Sequence, residues 1–287
     1  GAPFETYTPR FLESQLSYIL HLIEQAHPLP DTHRQAAELA LCVDRLIQRT
    51  GEFRAWQPAI QGLVVAMDVP GFDDRLLLAA LWRCVAQNYQ HLGDMPRSRR
   101  TYQYAMDMAD GQSEPDRDML AELRQCEGGL RAVAGDFEAA EAAARALMAD
   151  AQAHNDLYTL MLGHTQFAHL RLLEYRAVEA FAHAQQAFVL SVVLGNDTLR
   201  AQVLMYMADA CRVNKQLCAA SRYLDRASVE VHRLNNAPWL AYLDHTRGAL
   251  AVETGEFSKA IACFQEAQEY FRKVQDRASE INSTQAL

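Results

Sequence analysis

The chain has 287 residues, half of them apolar, with 13 glycines, 9 prolines and a formal charge of −9. That much apolar material, with no polar low-complexity tract, excludes a disordered chain. The acidic balance excludes a nucleic-acid surface, which needs concentrated positive charge: residues 1–120 carry 11 basic and 16 acidic side chains, 121–200 carry 6 and 10, and 201–287 carry 10 and 10.

No charged-then-apolar leader opens the chain, and no run approaches the ~20 apolar residues a membrane helix needs. Gly1-Ala2, without a methionine, reads as the edge of an excised fragment. Within residues 3–30, Phe11, Leu12, Leu16, Ile19, Leu20, Leu22 and Ile23 fall at helical spacing. His27-Pro28-Leu29-Pro30 closes that helix, because proline cannot continue it. Residues 1–36 are expected to form an N-terminal capping helix and linker, with Asp31-Thr32 as N-cap chemistry for the next helix.

From residue 37 a period takes over. Gly51-Glu52-Phe53, Gly93-Asp94-Met95, Gly135-Asp136-Phe137 and Gly255-Glu256-Phe257 each read as a helix stop, a turn and a helix start. The first three glycines are 42 residues apart, and the last gap is three times 40. Leu173-Glu174-Tyr175 and Lys215-Gln216-Leu217 read as weaker copies filling it. A fixed period of this size predicts a solenoid of helix hairpins, with repeats starting at residues 37, 79, 121, 161, 201 and 241 and helices of about 14 residues. In the second repeat, Trp82, Val85, Ala86 and Tyr89 form one face, onto which Tyr102 and Ala105 turn back.

Small residues recur in phase, as closely crossing helices require. They are Ala86, Gly128, Ala168, Ala208 and Gly248 on first helices, and Ala140, Ala180, Ala220 and Ala260 on second helices. A further row holds Ala105, Ala187, Ala227 and Ala267, with Phe137, Phe257, Phe264 and Leu224 expected to fill between. Cys42, Cys84 and Cys126 lie at 42-residue steps. Repeats stack at about 8–10 Å, whereas a disulfide needs Cα atoms within about 7 Å. These cysteines are therefore expected to be buried thiols, in a reducing, cytoplasmic setting.

These residues resemble the tetratricopeptide repeat family. Trp82, Val85, Ala86, Tyr89, Gly93, Tyr102 and Ala105 match its aromatic, small and turn positions in order. Gly248, Gly255-Glu256-Phe257, Ala260, Phe264 and Ala267 match in the last full repeat. The resemblance covers about residues 37–275 and departs in two ways. The units are 40–42 residues long instead of the usual 34, and Trp56 replaces a small residue in the first. Longer units of this kind look like the sensor arms of LuxR-type large ATP-binding regulators and of multidomain signalling ATPases. The resemblance implies an all-α, right-handed α-solenoid of about six hairpins over residues 37–280. The stretch Phe271 to Glu280 is similar to a link into another repeat, which leaves residues 281–287 as a cap or a truncated next helix.

Motifs for catalysis or metal binding do not emerge. His164 and His169 are five apart, wrong for one helical face. No His-Glu-x-x-His, Cys-x-x-Cys or Gly-x-Ser-x-Gly occurs, and the glycines sit singly at turns or, as Gly128-Gly129, inside a helix. Asp73-Asp74 reads as helix-start chemistry, and Arg97-Ser98-Arg99-Arg100 as a solvated face. The expectation is no enzyme, no cofactor and no metal.

What remains is surface. The resemblance implies that first helices line a concave groove, into which helical spacing sends Arg45, Gln48, Arg49, Arg83, Gln87, Gln90 and His91. Later repeats add His169, Asp209, Arg212, Tyr242, His245 and Glu253, and the middle adds Gly129, Ala132 and Val133. Arg45, Arg49 and Arg83 suit a carboxylate-bearing segment; pairing with Glu38 or Asp44 is the alternative. The leading expectation is a scaffold or sensor that binds a protein or peptide segment within a larger bacterial regulator. The alternative is a small-molecule effector domain with Trp82, Tyr89, Trp239 and Tyr242 as contacts. Self-association through stacked solenoid ends is a third possibility.

Overall fold

Helix termini leave carbonyls without intrahelical partners, and the way this chain satisfies them sets its architecture. In the computed structural model, which describes residues 14–70, 72–112 and 116–274, Gly135 adopts φ 81°. Its N–H bonds to the Ala132 carbonyl at 3.0 Å, and the Asp136 N–H bonds to the Arg131 carbonyl at 2.9 Å. This paired capping stops one helix and aims the next. The same two bonds recur at Gly93, Tyr175, Gly195, Lys215 and Gly255. Tyr175 (φ 59°) and Lys215 (φ 60°) hold the left-handed position without being glycine. The weaker copy at 173–175 is thus displaced by two residues: the turn is Tyr175-Arg176-Ala177.

Thirteen α-helices lie in the described residues, with no strand among them. Helix α1 is Leu16–Ala26, and a 3₁₀ turn comes after it at Pro30–Thr32. Six hairpins come next. Two are α2 (His33–Thr50) with α3 (Phe53–Met67), and α4 (Arg75–His91) with α5 (Met95–Asp110). Then come α6 (Arg117–Val133) with α7 (Phe137–His154), and α8 (Leu157–Leu173) with α9 (Ala177–Val193). The last two are α10 (Asp197–Val213) with α11 (Leu217–Leu234), and α12 (Ala237–Thr254) with α13 (Phe257–Val274).

First helices begin four residues before the expected starts and run 17 or 18 residues. Asp74, Asp116, Asp156, Asn196 and Asn236 explain the difference: each side chain accepts a first-turn backbone N–H, starting a helix before its apolar period is visible. Thr32 does not act this way. Its hydroxyl donates back to the Leu29 carbonyl at 2.8 Å, and α2 continues from the 3₁₀ turn.

The chain divides into two compact units, residues 1–115 and 116–287. In the first, α1 packs on α2 and α3, α2 and α3 pack on α4, and α4 pairs with α5. In the second, each hairpin packs on the next, and first helices α6, α8, α10 and α12 also touch in sequence. The in-phase small residues all lie inside: Ala86, Ala168 and Ala208 have no exposure, nor do Ala140, Ala180 and Ala220. At Gly248 an added Cβ would come within 2.7 Å of the Phe264 ring.

Two expectations need correction, the burial of the in-phase thiols and the packing of Phe137 and Phe257, while the irregularity at Trp56 is as expected. Of the three in-phase thiols only Cys84 is buried; Cys126 is half-buried and Cys42 exposed. The first hairpin is irregular because Trp56, fully buried, stands where a small residue would let the helices close. Phe137 and Phe257 are 37% and 64% exposed and fill nothing, unlike Phe264 and Leu224 at 2% each. Both begin a helix beside its turn, where the side chain points away from the crossing. The stretches 3–13 and 275–287 of the expected cap, link and terminal segment lie outside the described residues.

Candidate functional site

A face of first helices is made by the residues left over after packing. In the second unit those residues gather. On α8, His169 stacks on Tyr206 of α10, with centroids 5.6 Å apart and planes 7° from parallel. Burial holds the His169 imidazole down to about 4, so it is neutral near pH 7. The Tyr206 hydroxyl accepts a bond from Gln202 at 2.7 Å and is pushed up to about 12 by burial.

One turn on, the Arg212 Nε donates to Asp209 at 3.0 Å, and its Nη1 reaches Glu253 of α12 at 2.9 Å. Lys215 donates to the other oxygen of Glu253 at 2.7 Å. These bonds, that from Lys215 foremost, hold the Glu253 carboxyl below its usual range. Burial pushes Asp209 up against the opposing pull of Arg212. On α12, His245 meets Phe264 edge-on at 5.4 Å and is held low by burial, with Asp209 acting the other way. Tyr242 lies between Trp239 at 5.9 Å and Phe271 at 5.3 Å.

Of the expected set, Asp209, Arg212 and Glu253 are joined by ion pairs, while His169, Tyr242 and His245 each make an aromatic contact on the same three first helices or their neighbours. Sequence reasoning missed Tyr206 and Lys215. Tyr206 lies three residues before Asp209, at a position filled by the buried Gln166 one repeat earlier. Lys215 was legible only as a turn residue.

The first-unit set is looser. Arg45 is exposed on α2. Arg83 on α4 donates to Gln87 at 3.5 Å and faces the buried Asp44, to which Trp56 also donates at 3.3 Å. Burial raises the Asp44 carboxyl, with Arg83 the first opposing influence. Arg49 is half-buried. His91 lies flat on Phe53, centroids 4.0 Å apart, and burial lowers it to about 4. It therefore packs against the start of α3. In the middle, Val133 is 58% exposed but Ala132 is buried.

Trp82 donates to Asp68 at 3.2 Å, and Tyr89 is 7% exposed, so both belong to the framework. A cleft of about 200 Å³ lies among α11, α12 and α13, lined by Cys218, Asp225, Arg247 and Lys259 among others. Small-molecule sites usually run to roughly 300–1,000 Å³.

The fold is that of tetratricopeptide repeat proteins: all-α, built from helix hairpins with in-phase small residues at their crossings. Two of the solved structures it resembles are described as having tetratricopeptide repeats. A Rap protein complexed with competence and sporulation factor matches with a TM-score of 0.63 at 12% identity, over 90% of this chain and 78% of that one. A tetratricopeptide repeat protein from Parabacteroides merdae matches at 0.57 and 13%, over 96% and 98%. A signal-transduction ATPase with numerous domains, carrying a tetratricopeptide repeat sensor, from Pyrococcus horikoshii matches at 0.58 and 13%. There 92% of this chain spans 41% of the other. No protein-family model and no curated protein matches the chain. No helix among the described residues is long and apolar enough to cross a membrane.

Proposed function

We propose that this chain is a protein-interaction module, a sensor or scaffold arm of a larger bacterial regulatory protein, working in the cytoplasm without catalytic activity. Its second unit takes up a peptide or protein segment along the row His169, Tyr206, Asp209, Arg212, Tyr242 and His245. One observation carries this reading. Three successive first helices present aromatic and ionic side chains that are partly open to solvent, linked across repeats by Arg212 and Glu253. Aromatic rings give a bound segment contact area at low entropic cost, and the ion pairs give it register. The solved Rap complex and the ATPase with a repeat sensor support the class of function by analogy of fold.

The arginine-bearing face of the first unit, with Arg45, Arg49 and Arg83, is the second contact surface in this reading, for an acidic stretch.

The test is selection of displayed peptides on the full chain. Enriched peptides should lose binding about tenfold or more to Tyr206→Ala/Tyr242→Ala, with helicity unchanged. Peptides that bind this variant as well as the parent would refute the row. A failure to enrich any peptide, alongside a melting shift with a small metabolite, would favour the effector reading instead.

A further inference from the structure

The outer face of α9 breaks the rule that a surface helix is polar outside. From Val178 to Val193 its one formally charged side chain is Glu179, 48% exposed and paired with Arg176 of its own chain. Val178, Val189 and Val193 are 71%, 53% and 66% exposed, and Ala182, Gln185 and Gln186 are also exposed. Exposed apolar stripes of this kind mark contact surfaces.

From the order of these residues we infer that a second copy of this chain covers α9, in antiparallel, twofold pairing. In an antiparallel helix pair, facing residues have a constant sum of positions. About a twofold axis between Gln185 and Gln186, Val178 of one copy meets Val193 of the other. Ala182 then meets Val189, and Gln185 meets Gln186. The stripe is its own complement: valine on valine at the ends, alanine against valine next, and amides exchanging donor and acceptor at the centre.

The neighbouring hairpins fit the same axis. Exposure repeats along the second helices in the same order, so the axis that pairs α9 with itself also pairs α7 with α7 and α11 with α11. On α11 it sets Asp225 opposite Arg226, twice, as reciprocal ion pairs. Arg226 already leans toward α9, its guanidinium 5.1 Å from the Phe188 ring. On α7 it sets Ala142 opposite Ala149 and, at the axis, Arg145 opposite Ala146, with each Arg145 held by its own Glu141. Three such helices, each about 25 Å long and about 10 Å apart, present roughly 700 Å² per copy, close to the roughly 800 Å² of a standard interface. A formal charge of −9 disfavours pairing of two copies through charged faces, and residues 180–193 of α9 carry none of it. The contact uses second helices and leaves the row on the first helices open.

Light scattering on the full chain tests this over rising concentration. The parent should reach twice the chain mass. Val189→Lys should return it to the monomer mass with helicity and melting unchanged. A parent that stays monomeric to its solubility limit, or a Val189→Lys variant that still dimerises, would overturn the pairing. A second series reads the register at the exposed Asp225 and Arg226, with helicity and melting followed in each variant. Asp225→Arg should weaken the dimer, and Asp225→Arg/Arg226→Asp should restore it. Absence of that rescue would rule out the antiparallel register.

Discussion

His169 of α8 lies parallel to Tyr206 of α10, so that two successive repeats share one aromatic stack on their first helices. Burial of His169 favours its neutral imidazole in the folded chain. Folded His169 takes a proton near about 4, whereas the unfolded side chain takes one near 6.5. The folded value is the lower, so the unfolded state binds the proton first. Stability from this group is complete above about pH 6.5 and falls as pH drops toward about 4. The difference is worth at most about 3 kcal/mol. His169→Phe keeps the stack and removes the titration. Its urea midpoint should therefore fall less than the parent's between pH 7.5 and pH 4.5. Equal falls would mean that His169 is protonated without cost.

The hairpins were legible because backbone and packing constraints repeat in sequence: a left-handed turn residue, then alanine at each crossing. Of the two turns within hairpins that lack glycine, the one at Lys215 was legible only by counting and the one at Tyr175 was read two residues early, since neither residue gives a local signal. Cys42 misled because equal spacing does not give equal burial where Trp56 wedges its hairpin. In the row, His169, Asp209 and Arg212 could be placed by helical spacing. His91 looked the same in sequence but rests on Phe53, a tertiary contact that no spacing reveals.

Tyr175 should be improvable. Its ring is 81% exposed and its φ is 59°, a conformation in which a Cβ costs roughly 1 kcal/mol. Tyr175→Gly removes that strain and almost no packing. The expected result is a gain of about 1 kcal/mol, less the extra entropy of an unfolded glycine, read as a higher thermal midpoint. A lower midpoint would show that the ring makes a contact worth more than the strain.

At Gly248 and Ala180 the expected signs are reversed. Gly248→Ala drives a methyl to 2.7 Å from Phe264, a ring 2% exposed with nowhere to move. The cost should be about 1–3 kcal/mol. Ala180→Asp places a carboxylate at a crossing with no exposure, and several kcal/mol should be lost. Denaturant unfolding measures both, and parent-like stability of Ala180→Asp would disprove the packing of α9.

Arg171 tests how the hairpins of the second unit are tied together. It is 5% exposed at the end of α8. Its Nη2 lies 2.9 Å from Glu141 of α7, its Nη1 2.5 Å from Glu174, and its Nε 3.4 Å from Glu179 of α9. The guanidinium also sits 5.5 Å from the Phe167 ring. Arg171→Met fills much of the same volume but leaves Glu141 with Arg145 alone, and Glu174 and Glu179 with Arg176 alone. Breaking a buried ion cluster from one side usually costs about 3–5 kcal/mol, and the exposure of Glu179 places this case at the lower end. The pH response should also become smaller. In the parent, Arg145 and Arg171 hold the Glu141 carboxyl below its usual range, so acidification weakens the fold through this group. In the variant Glu141 keeps Arg145 but loses Arg171, its affinity for protons rises, and acidification should cost less stability than in the parent. Urea midpoints of parent and variant at pH 7 and pH 5 measure this. A variant that loses as much as the parent on acidification would show that Arg171 fills space and does not organise the three carboxylates.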